Sequence, residues 1–367
     1  MKISEKISRR IEFARSMGIV AIVIRHSSLD NWGYPKSGIA TADPAGYAVL
    51  FISNLFSEIV GRVAVPIFFC VSGYLFFNNY EPSVRSYVGK IKSRLHGLLV
   101  PYLFWNLALL LFLLTIQSIP FFAPYFSGSH KPIRDYTILN YLDAFIAFEN
   151  GYPISYQFWF IRDLLILILI SPAIYILARR ATIPGLAMLI LPWMCGYEVL
   201  YGNVRFESLI FFYVGCLIII RRKDLSFIDD HRGAILLSYL VLSALLALYE
   251  TSGMQTFSYH LNQIVLVLGV AAFWSITGVA IQTGVHKMVW VLSAYSFFVF
   301  ATHEPVLEIL RKLLIRFRMP ATPLDYLAYY ILLPVVTIFM TLVAARLLES
   351  YANGLYKLTT GGRTKRH

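Results

Sequence analysis

Phe13-Ala-Arg15-Ser-Met-Gly-Ile-Val-Ala-Ile-Val-Ile-Arg-His26-Ser27 is the heart of an apolar run from residue 11 to 29, and it carries an arginine and a histidine eleven residues apart. At 100° per residue, eleven steps make three turns plus about 20°, so Arg15 and His26 share one helix face, about 16 Å apart along the axis. A run of this length and apolarity predicts a membrane helix. Ionisable groups inside such a helix cost about 2.5–3.5 kcal/mol each on insertion scales, so they face the protein interior and mark a functional site. Glu12 stands three residues before Arg15 and is spaced to neutralise it.

The rest of the composition agrees with a membrane protein. Hydrophobic residues make up 58% of the 367 and charged ones only 14%, where a soluble globular domain carries about 25% charge. The fold class expected is all-α: a polytopic membrane protein of about ten transmembrane helices in one bundle. The predicted spans lie near 11–29, 48–77, 97–119, 157–178, 182–200, 207–220, 233–250, 260–282, 288–310 and 324–346. Gly61 and Pro66 predict a kink or break in the second. The longest non-span stretch, about 120–156, is a loop rich in Pro, Tyr and Phe. The basic N-terminus leads straight into a span without a small-residue cleavage site, which predicts a retained anchor.

The formal charge of +12 is spread in short groups at span ends and forms no single face, which argues against nucleic acid as a partner. With the N-terminus inside, 20 of the 32 Lys and Arg fall in the inner segments (1–10, 78–95, 178–181, 221–232, 283–288, 346–367), eight in the outer segments and four within spans. That asymmetry predicts both termini on the cytoplasmic side. Arg311, Lys312, Arg316 and Arg318 are its exception. Cys70, Cys195 and Cys216 sit in apolar segments with no CxxC pair or His cluster, which predicts neither a disulfide nor a metal site.

Several groups of residues carry further chemistry. An imidazole ordinarily titrates near neutrality, which suits His26 to take a proton from an attacking hydroxyl; a core histidine bonded to a carbonyl is the alternative. Glu58 and Arg62, at i,i+4 in the second span, are spaced to form a pair that holds two helices in register or supports a developing oxyanion. Tyr74, a candidate for the acceptor cavity, ends the small-residue stretch Ser72-Gly73, where another backbone or a thin ligand can approach closely. Arg85, Lys90, Lys92 and Arg94 form a basic collar at the inner membrane face, suited to the phosphates of a nucleotide-like donor or to lipid head groups. Arg162 and Asp163 in the fourth span and His303 and Glu304 in the ninth place charge at about the depth of His26, which predicts a polar cavity open to the outside. Trp32, Tyr34, Tyr152, Tyr156, Trp159 and Tyr201 flank outer span ends as belt residues. No GxSxG elbow, Walker loop, HExxH or Rossmann glycine pattern occurs.

These motifs resemble the acyltransferase-three family of polytopic bacterial membrane O-acyltransferases that modify surface glycans. Arg15 and His26 are similar to its RX10H pattern. Val65-Pro-Ile-Phe-Phe-Cys-Val-Ser-Gly-Tyr-Leu75 resembles its VPxFFxxSGYL stretch. Pro101-Tyr-Leu-Phe-Trp105, Phe158-Trp-Phe-Ile-Arg-Asp-Leu164 with Ser171-Pro172, Phe212-Tyr-Val-Gly215 and His303-Glu-Pro305 match further motifs. Phe300 departs from the pattern, standing where the family has tyrosine, and no esterase domain follows the spans, as in stand-alone members. The resemblance implies residues 1–350 as a membrane acyltransferase domain with a basic cytoplasmic tail at 351–367. It implies an enzyme of the bacterial cytoplasmic (inner) membrane that moves an acetyl group from cytoplasmic acetyl-CoA, without a metal, to a hydroxyl of a surface polysaccharide or lipid-linked glycan. His26 would be the base, or the carrier in a covalent acyl-histidine relay, and Arg15 its donor-side partner. A transporter or flippase is the competing reading, since intramembrane Arg, His and Glu also build solute paths; a scaffold whose charged pairs only fix helix register is a third.

Overall fold

The computed structural model describes residues 3–28, 43–123, 131–254 and 258–363. Among the described residues the chain is all-helical, apart from one isolated bridge between Val199 and Arg205. Trp32 and Tyr34 lie outside them.

A helix lies over each of the ten predicted runs, and their lengths differ widely. α1 (Glu5–His26) starts at Ser4, whose hydroxyl accepts from the Ile7 amide. α2 (Pro44–Phe77) starts at an Asp43 cap, and α3 (Val84–Gln117) follows. Next come α4 (Ile138–Ile146), α5 (Trp159–Leu169), α6 (Ser171–Arg180), α7 (Thr182–Met194), α8 (Phe206–Ile220), α9 (Ser226–Asp230) and α10 (Arg232–Thr251). The chain closes with α11 (Ser258–Thr283), α12 (Trp290–Phe317), α13 (Pro323–Tyr351) and α14 (Asn353–Thr360). Among the described residues five helices are long and apolar enough to cross a membrane: α2, α3, α10, α11 and α13. The pair α5–α6, bent by 65°, raises this to six. α7 and α8 are shorter. α1 and α12 fall outside the group because their charged residues, Arg10, Glu12, Arg15 and Arg25 in one and Glu304, Glu308, Arg311 and Lys312 in the other, lower their apolarity. The chain is thus a polytopic all-helical membrane protein.

The expected break in the second span is a change of helix type within a continuous rod. Asn54–Val60 is a π-helix and Gly61–Val63 a 3₁₀ turn. Such irregular turns frequently mark functional sites. At Gly61 a Cβ would stand 3.0 Å from the Ala21 carbonyl oxygen and 3.0 Å from the Arg25 Cβ. Glycine there lets α2 press against the last turns of α1.

The resemblance motifs Ser72-Gly-Tyr74 and Phe212-Tyr-Val-Gly215 interlock. A Cβ on Gly215 would run into the Cys70 carbonyl oxygen, and one on Gly73 into that of Phe212. α2 and α8 therefore touch backbone to backbone, the small-residue packing expected between helices in lipid. Replacing Gly215 by alanine must push the two helices apart, at a cost of about 1–3 kcal/mol. Thermal unfolding of the detergent-purified chain should show a clear drop in midpoint for Gly215→Ala. Gly89→Ala, where a Cβ meets nothing within 4 Å, should show none. Equal midpoints would contradict the interlock.

At the opposite end of α1, Arg10 is buried and fully engaged. Its guanidinium donates to both Asp229 carboxylate oxygens at 2.6 and 2.9 Å, to the Thr277 hydroxyl at 2.9 Å and to the Trp274 carbonyl at 2.7 Å. This bidentate clamp ties α1 to α9 and α11 and sets the height of everything further along α1. The basic tail expected at 351–367 is folded over Asn353–Thr360, with Tyr356 buried against Tyr295 and Phe298.

Candidate active site

The unbroken helix α1 keeps Arg15 and His26 on one face, as their spacing predicts, and ends at His26. The His26 Nδ1 lies 3.2 Å from the Glu304 carboxylate and 3.0 Å from the Tyr156 hydroxyl. Glu304 is 8% exposed and His26 20% exposed, so the carboxylate is inside while the imidazole keeps access. A carboxylate at Nδ1 holds the proton on that nitrogen and leaves Nε2 as the basic one. His303 completes the group. Its ring centroid is 5.2 Å from that of His26, and it is fully buried. Its Nδ1 donates to the Phe300 carbonyl at 2.7 Å, and among the described residues its Nε2 has no hydrogen-bond partner.

Pro305 explains part of the geometry. A proline inside a helix has no N–H, so the carbonyl four residues back loses its helical partner. That carbonyl belongs to Ala301, and the Gln157 side-chain amide donates to it at 3.1 Å. The Ser155 amide donates to the Asn106 carboxamide oxygen at 3.0 Å. With a neighbour pinned on each side, Tyr156 is held against His26. Phe300, the departure from the family pattern, packs among Phe158, Phe160 and Phe297, and the hydroxyl beside His26 comes from Tyr156 instead.

The remaining sequence-predicted residues divide between this site and structural roles. Glu58 and Arg62 are not bonded to one another. Arg62 meets Glu207 of α8 at 3.1 Å, and Glu58 meets Arg25 of α1 at 3.4 Å. The expected i,i+4 pair presumes regular α-helical turns, whereas here π and 3₁₀ turns replace them and each side chain takes a partner on a neighbouring helix. Ser57 bonds the Ile24 carbonyl at 2.9 Å and the Tyr330 hydroxyl at 2.9 Å, so the π-helix braces the end of α1 next to His26. Tyr74, expected in the cavity, lies sixteen residues beyond Glu58, about 24 Å further along α2. It belongs to the α2–α8 interlock.

Arg162 and Asp163 are also structural. Arg162 bonds Asp163 at 2.7 Å and donates to the carbonyls of Ala147, Gly151 and Asn203 at 2.8, 3.3 and 2.6 Å. Asp163 accepts from the Ser208 hydroxyl at 2.8 Å and the Arg205 amide at 3.2 Å. Every strong group of the pair is used to shape the loop that carries Tyr152 and Tyr156. The loop is ordered from its other end by Asp143, whose carboxylate accepts from the Phe148, Glu149 and Asn150 amides at 2.6, 2.9 and 3.1 Å and from the Asn150 side chain at 2.6 Å. Burial alone raises the Asp143 pKa, but these four donors outweigh it and bring it below the ordinary carboxylate value. Because the folded pKa is depressed, the loop's stability is present above the unfolded value and is lost as pH falls through the folded one. Asp143→Asn should therefore remove the loop's dependence on acid pH. Proteolytic nicking near residue 149, followed from pH 7 down to pH 3, should steepen at low pH in the wild type and start high and stay flat in the variant. Identical profiles would contradict the assignment.

Of the basic collar, Lys90 caps α2 by donating to the Phe76 and Asn78 carbonyls at 2.7 Å each. Arg85 and Lys92 are exposed. Arg94 is half-buried, and it acts together with Arg15 on Arg363 of the tail. Glu12 lines an open cleft of about 420 Å³ between α1 and the start of α12. Among the described residues no cluster of His, Cys, Asp and Glu is arranged to hold a metal ion.

Sequence reasoning placed Tyr156 in the aromatic belt, because its partner His26 is 130 residues away. The available signal was Pro305, which announces an orphaned carbonyl at Ala301 that some donor must satisfy. Arg10, counted among the anchoring charges, had no signal of its own.

No solved structure matches the chain. It is 24% identical over 365 residues to the succinoglycan biosynthesis protein ExoH of Rhizobium meliloti (strain 1021), covering 98% of this chain and 93% of that protein. The acyltransferase-three family, described as an acyltransferase domain, matches residues 8–346. That span contains α1 with Arg15 and His26, the interlocked motifs and the His303-Glu304 turn, so the chain belongs to this family and is a membrane O-acyltransferase.

Proposed function

We propose that this enzyme transfers an acetyl group from acetyl-CoA, bound from the cytoplasmic side of the bacterial inner membrane, to a hydroxyl of a surface polysaccharide or lipid-linked glycan on the outer side. The observation that carries the reading is the His26–Glu304 contact at 3.2 Å at the end of a charged membrane helix. In the proposed step the acceptor hydroxyl gives its proton to His26 Nε2 as its oxygen attacks the thioester carbonyl. Glu304 stabilises the imidazolium that forms. The tetrahedral intermediate collapses, the C–S bond breaks, and the departing thiolate takes the proton back from His26. Arg15, about three turns nearer the cytoplasm, stands where the donor's charged end enters. The pantetheine arm is comparable in length to the Arg15–His26 separation.

The 20-to-eight charge asymmetry supports ten crossings with both termini inside. The relative's part in succinoglycan biosynthesis supports a polysaccharide acceptor. Labelled acetyl-CoA supplied to the purified full chain with membrane-extracted glycan should yield alkali-labile label in the glycan. Label that stays in the thioester with every glycan fraction would remove this donor.

A further inference from the structure

Pro101 interrupts α3 as Pro305 interrupts α12, and the carbonyl it orphans is that of Gly97. The donor that takes it comes from the far end of the chain. Arg363 Nη1 bonds the Gly97 carbonyl at 2.8 Å and the Thr360 carbonyl at 2.6 Å. Gly361, at φ +66°, lets the tail lie directly on the Gly97 carbonyl, where a Cβ would collide. The guanidinium lies over the Phe297 ring at 4.2 Å, and among the described residues its hydrogen bonds run through Nη1 alone.

The charges of two further arginines are felt at it. Arg94 is one turn before Gly97 on α3, and Arg15 comes from α1. Arg363 keeps an exposed edge; its packing against α3 and α12, then the charges of Arg15 and Arg94, lower its pKa to about 10, so it remains a cation at neutral pH. One guanidinium pinned by backbone carbonyls, with the like charges of two more acting on it, suits an anionic group with several acceptor oxygens. The cleft between α1 and the start of α12 is lined on the α1 side by Glu12, Phe13 and Ser16, the sequence neighbours of Arg15. Its lining includes Arg9, Lys287, Trp290 and Ser293, and Phe297 lies one turn beyond Ser293 on the same face of α12. The family match ends at residue 346, ahead of Arg363.

We propose that the folded tail completes a phosphate site, in which Arg363 joins Arg15 and Arg94 to hold the phosphates of a nucleotide-bearing acyl donor. The proposal rests on the acetyl-CoA reading for the donor's identity. Arg363 then acts as a specificity residue that favours donors carrying phosphate over the bare thioester.

The test uses the full chain in phosphatidylcholine nanodiscs, with Arg363→Ala and the charge-preserving Arg363→Lys, both checked for a wild-type unfolding midpoint. Coenzyme A binding by calorimetry should weaken about tenfold or more in Arg363→Ala, with partial recovery in Arg363→Lys. In acetyl transfer, the wild-type preference for acetyl-CoA over acetyl-pantetheine should shrink by a similar factor through KM. Unchanged coenzyme A binding in both variants would overturn the site, as would equal losses with both donors. Binding lost only in phosphatidylglycerol nanodiscs would assign the phosphate to a lipid headgroup and overturn the donor assignment. Coenzyme A bound through Arg363 without any acetyl transfer would uphold the site while removing the acetyl-CoA reading.

Discussion

His26→Ala is expected to lower acyl-transfer turnover about 10²–10⁴-fold while the protein accumulates and binds donor as the wild type does. General-base catalysis contributes that range, and it is lost only in the transition state, so kcat should fall with little change in the donor constant. The folding cost should be small. His26 is at the last turn of α1 and 20% exposed, and the helix is fixed independently by the Arg10 clamp at its other end and by the Gly61 contact with α2. A loss of expression together with activity would point to a core histidine instead.

Glu304→Gln should have the next largest effect, about 10²–10⁴-fold in turnover, although the side chain keeps its size and one oxygen. The carboxylate does two things at 3.2 Å from Nδ1: it selects the tautomer with a basic Nε2, and it offsets the charge of the imidazolium. The amide does neither reliably, because its NH₂ group can donate to Nδ1 and turn the proton to Nε2. Tyr156→Phe, which removes only the hydroxyl at 3.0 Å, should cost far less than Glu304→Gln. Pre-steady-state measurements with matched protein amounts separate the two. An effect of Tyr156→Phe equal to that of Glu304→Gln would mean that the phenol, not the carboxylate, sets the imidazole's protonation.

The axial logic of the site was legible in the sequence. The eleven-residue spacing needs only an unbroken helix, and α1 supplies one. The small-residue motifs were legible too, since Gly73 and Gly215 have few uses inside apolar helices other than close packing. Convergence by depth was legible only in half. His303 and Glu304 do meet His26, whereas Arg162 and Asp163 turn to loop carbonyls, because depth along a helix fixes height and leaves the facing direction open. The Glu58–Arg62 pair failed for a local reason, a π turn with no residue signature. Partners distant in sequence, such as Arg10 with Asp229, Tyr156 with His26 and Arg363 with Gly97, could not be read from spacing. Two of the three structural surprises nonetheless have a proline behind them: Pro305 and Pro101 each leave a carbonyl that a remote side chain must satisfy.

The central claim is that a His26–Glu304 dyad moves an acyl group to a hydroxyl inside the membrane. Its most direct measurement is transfer of labelled acetyl from acetyl-CoA to the glycan acceptor by purified, reconstituted full chain, with wild type, His26→Ala and Glu304→Gln compared at equal donor saturation. The account predicts ester-linked label from the wild type and a loss of about 10²-fold or more in both variants. Near-wild-type transfer by a well-folded His26→Ala protein would contradict it.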